Sequence, residues 1–257
     1  MNRQEPYQSE VFFLPNRHFV ALPLIQIHSS TVNQNALKTA ANQLGVDLSE
    51  AQLAEFEVFE DDLYEANEVM NLTRVPKEDC YVRHFLDSIL VGKIITELAP
   101  NGSVLDVGTG PGFPAWPIAT AFPELTVTAL DSNGKMLGFL DRHKRDNLTI
   151  EYIRAEEVKE RERFDVVTGR AVAPFGIQLE ISAAQVKQGG YFIPMRTPTD
   201  DLTSMVWTKL GLDLVETREQ LLPGTDIVRV FPIFKKNRQT APFYPRRWAE
   251  IKKRPLL

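Results

Sequence analysis

A chain of 257 residues, 43% hydrophobic and 25% charged, can bury one generous core with a small appended piece. Its formal net charge of -5 excludes a protein that coats nucleic acid indiscriminately, though not one with a local basic patch. A single cysteine, Cys80, excludes a disulfide framework and a cysteine-rich zinc site. No apolar run reaches the roughly 18 residues of a membrane span, so the expectation is a cytoplasmic protein with neither membrane nor metal.

Residues 1–35 form an extension of unknown role. Its apolar stretch "HFVALPLIQIH" is interrupted by Pro23 and followed by no small-residue cleavage pattern. Residues 36–100 read as a small helical unit. A first helix around 35–44 stops at Gly45, where a left-handed cap is cheap. A second begins at a capping box of Ser49 and Gln52 and carries Leu53, Phe56, Phe59 or Glu60, Leu63, Asn67 and Met70 at helical spacing. From Glu50 to Glu68 there are eight acidic residues and no lysine or arginine, which reads as a solvated face. In "VRHFLDS", His84 and Asp87 stand three apart, predicting a hydrogen bond on a helix surface. Cys80 reads as a small packed side chain.

After Asn101-Gly102 the rhythm becomes strand, turn, helix. Strands are expected near 103–107, 126–130, 149–153, 164–168, 190–195 and 226–234. That alternation predicts an α/β domain over 101–234, a mostly parallel sheet with helices on both faces. Ligands of such sheets sit beyond the carboxyl ends of the strands, where strand order reverses.

The turn after the first strand, "VLDVGTGPGF", is at that place. Gly108, Gly110 and Gly112 alternate, and Phe113 occupies the slot where a dinucleotide fingerprint has its third glycine. A pyrophosphate is repelled by Asp106. S-adenosylmethionine has no phosphate and carries a sulfonium and an ammonium, which suit an acid beside bare glycine backbone. Asp131, closing the second strand with Ser132 after it, is placed to accept hydrogen bonds from ribose hydroxyls. Ala155 and Glu156 follow the third strand and are placed to meet an adenine ring. The fourth strand, "FDVVTGRAVAPF", lacks the D-P-P-Y-like turn of exocyclic-amine methylation. No Pro-Cys pair supports covalent cytosine chemistry.

Five stretches, "MNLTRVPKEDCYVRHFLDSIL", "VLDVGTGPGFPAWPIA", "LDSNGKMLGFL", "FDVVTGRAVAPF" and "YPRRWAEIKKRPL", resemble the bacterial 16S ribosomal RNA (guanine-N7) methyltransferases called RsmG or GidB. The resemblance covers roughly residues 50–257 and implies a class I, Rossmann-like methyltransferase fold with a seven-stranded sheet. It implies S-adenosylmethionine as donor and a guanine in the decoding region of 16S rRNA, within the small ribosomal subunit, as acceptor. It carries cofactor contacts onto Gly108, Phe113, Ala155, Glu156 and Arg170. The family often has Gly-Ile-Pro where Ala115-Trp116-Pro117 stands, and Lys-Gly where Arg196-Thr197 stands.

Guanine N7 offers a lone pair and no proton, so no general base is required and Arg170 serves as an orienting residue. The tail, 235–257, holds eight basic residues and one acid between Lys235 and Arg254. With Phe243, Tyr244 and Trp248 it is the expected RNA contact. Arg83, His84 and Arg196 are the alternative RNA surface. Other readings are a methyltransferase acting on another RNA or a small molecule, and a non-catalytic binding protein of the same fold.

Overall fold

The computed structural model describes residues 30–198 and 206–256. The extension at 1–29 lies outside the described residues. Helix α1 (Ser30–Gln43) begins five residues before the expected start and ends at Gly45, whose φ is 76°. Helix α2 (Glu50–Met70) starts on the reciprocal Ser49–Gln52 capping box. Its face buries both Phe59 and Glu60, together with Leu53, Phe56, Leu63 and Ala66. A wider, π-type turn over Tyr81–Leu86 runs straight into α3 (Asp87–Leu98).

Seven strands follow among the described residues: β1 (Ser103–Val107), β2 (Thr126–Asp131), β3 (Leu148–Tyr152), β4 (Phe164–Arg170), β5 (Val186–Met195), β6 (Leu212–Leu221) and β7 (Val228–Lys236). Their order across the sheet is β3-β2-β1-β4-β5-β7-β6, with β7 antiparallel to both its neighbours and the rest parallel. The reversal of order between β1 and β4 opens a crevice at their carboxyl ends. Helices α4 (Ala115–Ala121), α5 (Gly134–Leu140) and α6 (Phe175–Ala183) connect strands, and α7 (Trp248–Lys253) ends the chain. Strand β6 escapes the sequence pattern because its "ETREQ" stretch is polar and mostly exposed along an edge. Edge strands have only one neighbour to pair with and little to bury.

The helical unit is not a separate body. Phe59 stacks on Trp116 of α4 with centroids 4.0 Å apart, and Phe56 meets the same indole edge-on at 5.4 Å. One apolar cluster thus joins α1–α5 to one face of the sheet, and a second joins α6 and the tail to the other.

The tail, expected from sequence to contact RNA, is also packed into the body. Lys236 is fully buried, donating to the carbonyls of Ala183 and Leu210. Burial draws its ammonium down to about 8. Arg246 forks onto the buried carboxylate of Glu180 at 2.6 and 2.8 Å, and Arg161 holds the carbonyls of Thr240 and Tyr244. Among the described residues no helix is long and apolar enough to cross a membrane.

Candidate functional site

The ends of β1, β2 and β3 surround a pocket of about 320 Å³. Gly108, Asp131, Ser132, Ala155 and Glu156 line it, as the strand-end reading places them. Gly108 has a φ of 70°, which favours glycine, and a Cβ there would meet the Val172 side chain at 3.0 Å. Asp131 organises the turn: its Oδ2 accepts from the Gly110 amide at 2.9 Å and its Oδ1 from the Asn133 amide at 2.8 Å. At the β3 end, Glu156 accepts from Arg154 Nε at 2.5 Å.

Five residues grouped with this pocket from sequence do not line it: Arg170 borders the neighbouring basin, and Asp106, Gly110, Gly112 and Phe113 belong to the turn and its packing. Asp106 has no exposed surface; its carboxylate accepts from the Ala115 amide at 3.0 Å and so ties the turn to α4. Desolvation raises its carboxyl to about 7. Gly110 faces open space. Gly112 serves packing, since a Cβ would meet Leu140 at 2.7 Å and Trp116 at 3.2 Å. Phe113 is buried against His84, ring on ring, with centroids 4.1 Å apart and planes 6° from parallel.

His84 and Asp87 depart from the pairing expected of them. They do not pair with one another on a helix surface; both are buried and each reaches across the fold. The π-type turn aims His84 toward β4, where its Nδ1 meets an Arg170 guanidinium nitrogen at 2.9 Å. A guanidinium can only donate, so Nδ1 is the acceptor and the imidazole proton sits on Nε2, facing Thr73 Oγ1 at 2.7 Å. Burial, with Arg170 and Arg83 nearby, lowers the imidazole to about 3, and it stays neutral. Asp87 accepts from Arg229 Nε at 2.9 Å and from Arg170 at 3.3 Å.

These groups border a wider basin of about 730 Å³ that also includes Arg83, Met195, Arg196 and Thr197. Arg196 is buried, donating to Gln178 Oε1 at 3.0 Å, so only part of this basic lining is free to meet solvent. Ala171 lines both the pocket and the basin, and adopts a φ of 52° that few side-chain-bearing residues take. Arg170 stands on the basin side of that junction. Sequence reasoning missed Arg229, which lies 142 residues from its partner Asp87. It also missed Ile153, Arg154, Val172, Ile181 and Trp248 in the pocket wall. Arg154 could have been found, because it directly precedes the Ala155-Glu156 pair. The Trp248 contact is tertiary and has no local signal.

Residues 52–205 match the family described as rRNA small subunit methyltransferase G, GidB. A relative of that name from Lachnoclostridium phytofermentans is 37% identical over 227 residues, covering 83% of this chain and 93% of the relative. One from Lysinibacillus sphaericus is 36% identical over 244 residues, covering 88% and 100%. Among solved structures, Burkholderia thailandensis 1,6-didemethyltoxoflavin-N1-methyltransferase, with bound S-adenosylhomocysteine, superposes with a TM-score of 0.50. It is 14% identical and covers 72% of this chain and 90% of that one, a likeness of fold. With the sheet order, the acid–glycine turn and the match across most of its length, the chain belongs to the rRNA small subunit methyltransferase G family.

Proposed function

We propose that the protein transfers a methyl group from S-adenosylmethionine to N7 of a guanine in the decoding region of 16S rRNA, in the cytoplasm and within the small ribosomal subunit. The observation that carries this reading is the junction at Ala171. A pocket with donor chemistry opens there beside a basin bordered by arginines. When bound, S-adenosylmethionine supplies an electrophilic methyl on sulfur.

The pocket residues fit that donor. Asp131 and Ser132 at the β2 end offer oxygens to ribose hydroxyls, Gly108 gives bare backbone, and Ala155 and Glu156 offer a wall and an acceptor to adenine. The one cation among the lining residues, Arg154, is already paired with Glu156, which disfavours a phosphate-bearing ligand. Asp106, held beneath the turn, fixes the start of α4 through the Ala115 amide and does not reach the pocket.

On the acceptor side, Arg83, Arg170 and Arg229 offer positive potential to RNA phosphates and N–H donors to guanine O6. Guanine N7 carries an in-plane lone pair, so nothing has to remove a proton. Neutral His84 and buried Asp87 hold Arg170 and Arg229 in place; they do not act as bases. The chain's contribution is alignment, and well-oriented reacting groups gain on the order of 7–11 kcal/mol. Incubation with labelled donor and small subunits lacking N7-methylguanine, followed by nucleoside analysis, tests the reading. Label in 7-methylguanosine is the expected result; label in another nucleoside, or none, overturns it.

A further inference from the structure

We infer that Trp248, in the C-terminal tail, is a donor-binding residue whose indole closes the adenine end of the pocket. The inference rests on the donor reading above. The lining divides by chemistry. Gly108, Asp131 and Ser132 offer bare backbone and oxygens suited to hydroxyls. Ile153, Ala155, Ile181 and Trp248 belong to one apolar cluster and, with the single carboxylate of Glu156, suit a flat heteroaromatic base carrying an amino group. Trp248 is half-buried and packs on the cluster that contains Ala155 and Ile181.

Its ring meets Arg154, and the chain on either side of it is anchored. The Arg154 guanidinium lies 4.8 Å from the ring centroid and is itself fixed by Glu156. Two residues upstream, Arg246 is forked onto buried Glu180 of α6, and Arg246 also donates to the Arg254 carbonyl at 2.9 Å. Ile251, one turn further along α7, is fully buried. A ring so fixed loses little freedom on meeting a ligand, and aromatic–base stacking is tolerant of exact placement.

The chain carries two other tryptophans, Trp116 and Trp207, both buried and neither lining the pocket. Intrinsic fluorescence on titration with S-adenosylhomocysteine therefore reports on Trp248. In the full-length protein the expected result is a saturable change in emission that disappears in Trp248→Phe, while calorimetry shows Trp248→Phe binding within about threefold of wild type. Trp248→Ala should weaken S-adenosylhomocysteine by about five- to fiftyfold. It should weaken 5′-methylthioadenosine, which keeps the base and lacks the amino-acid end, by the same factor.

Unchanged affinity in Trp248→Ala, or a loss confined to S-adenosylhomocysteine, overturns the assignment. An emission change that persists in Trp248→Phe does so as well, and that variant decides the matter if Trp248→Ala fails to fold. Wild-type protein that does not bind S-adenosylhomocysteine at all refutes the donor reading instead.

Discussion

A carboxylate at a strand end acts through what its oxygens can reach. Asp131 accepts two backbone amides, one from the glycine turn and one from its own turn, which leaves further lone pairs toward the pocket. Asp131→Ala should weaken S-adenosylhomocysteine by about ten- to hundredfold, the worth of a charge-assisted pair of about 1.5–3 kcal/mol. Calorimetry giving an unchanged dissociation constant would remove the ribose assignment. His84 presents the opposite case, a group that functions by not being charged. Protonating it would put a proton on the nitrogen that accepts from Arg170.

Because the folded imidazole titrates near 3 and an unfolded one near 6.5, the unfolded chain binds the proton first as pH falls. Stability from this group is whole above pH 6.5 and declines below it, by about 2 kcal/mol at pH 5. Urea unfolding of wild type and His84→Asn at pH 7 and pH 5 measures it: the variant should lack that part of the slope. In the same neutral range no side chain has to give or take a proton for N7 to react. The single-turnover rate at saturating donor should therefore stay flat between about pH 6.5 and 8.5. A unit-slope rise there would identify a base and refute the direct attack.

At the scale of elements, Asp87 is the tie. It begins α3, and its two oxygens receive arginines from β4 and from β7, so one carboxylate joins the helical unit to two strands at the mouth of the basin. Asp87→Ala would leave Arg229 without its carboxylate and Arg170 with only the Arg83 carbonyl and His84 as partners, both guanidinium groups being mostly buried. Removing one partner of a buried ionic cluster typically costs about 3–5 kcal/mol, and equilibrium denaturation should show a loss of that size. A loss below about 1 kcal/mol would mean that Arg170 and Arg229 swing out to water. The π-type turn over Tyr81–Leu86 makes the geometry possible, since it rotates His84 off the helix surface and into the sheet. Three-residue spacing in the sequence could not have shown that rotation.

At the scale of the molecule, the tail cannot be removed as an independent arm. Its truncation after Asn237 would strip Glu180 of Arg246 and the pocket of Trp248. The truncated protein should lose about 3–5 kcal/mol of stability in denaturant titrations and should bind donor more weakly. Intact donor affinity in a stable truncated protein would contradict this. The RNA role of the tail has to be sought in side chains that remain exposed, among them Arg247, Lys252 and Lys253. Changing the three together to glutamine should leave donor binding alone. It should flatten the dependence of log RNA affinity on log salt by about 0.7 to 0.9 for each phosphate no longer neutralised. An unchanged slope would move the RNA-binding surface to Arg83 and the basin rim.

The sequence by itself determined what local chemistry dictates. Ser49 and Gln52 announce a helix start because both cap bonds lie within four residues. The glycines after β1 announce a turn because only glycine adopts those φ values cheaply, and Asp131 at the end of β2 marks the pocket side of the sheet. The central parallel strands β1, β2 and β4 were legible because strands buried on both faces read as apolar runs. The tertiary structure decided everything that depends on which distant residues meet. It withdrew Asp106 from the pocket, supplied Arg229 to Asp87 and converted a basic tail into a wall. Charge along a chain counts residues, whereas burial and pairing depend on what packs opposite. No periodicity records that Glu180 on α6 waits for Arg246, sixty-six residues later.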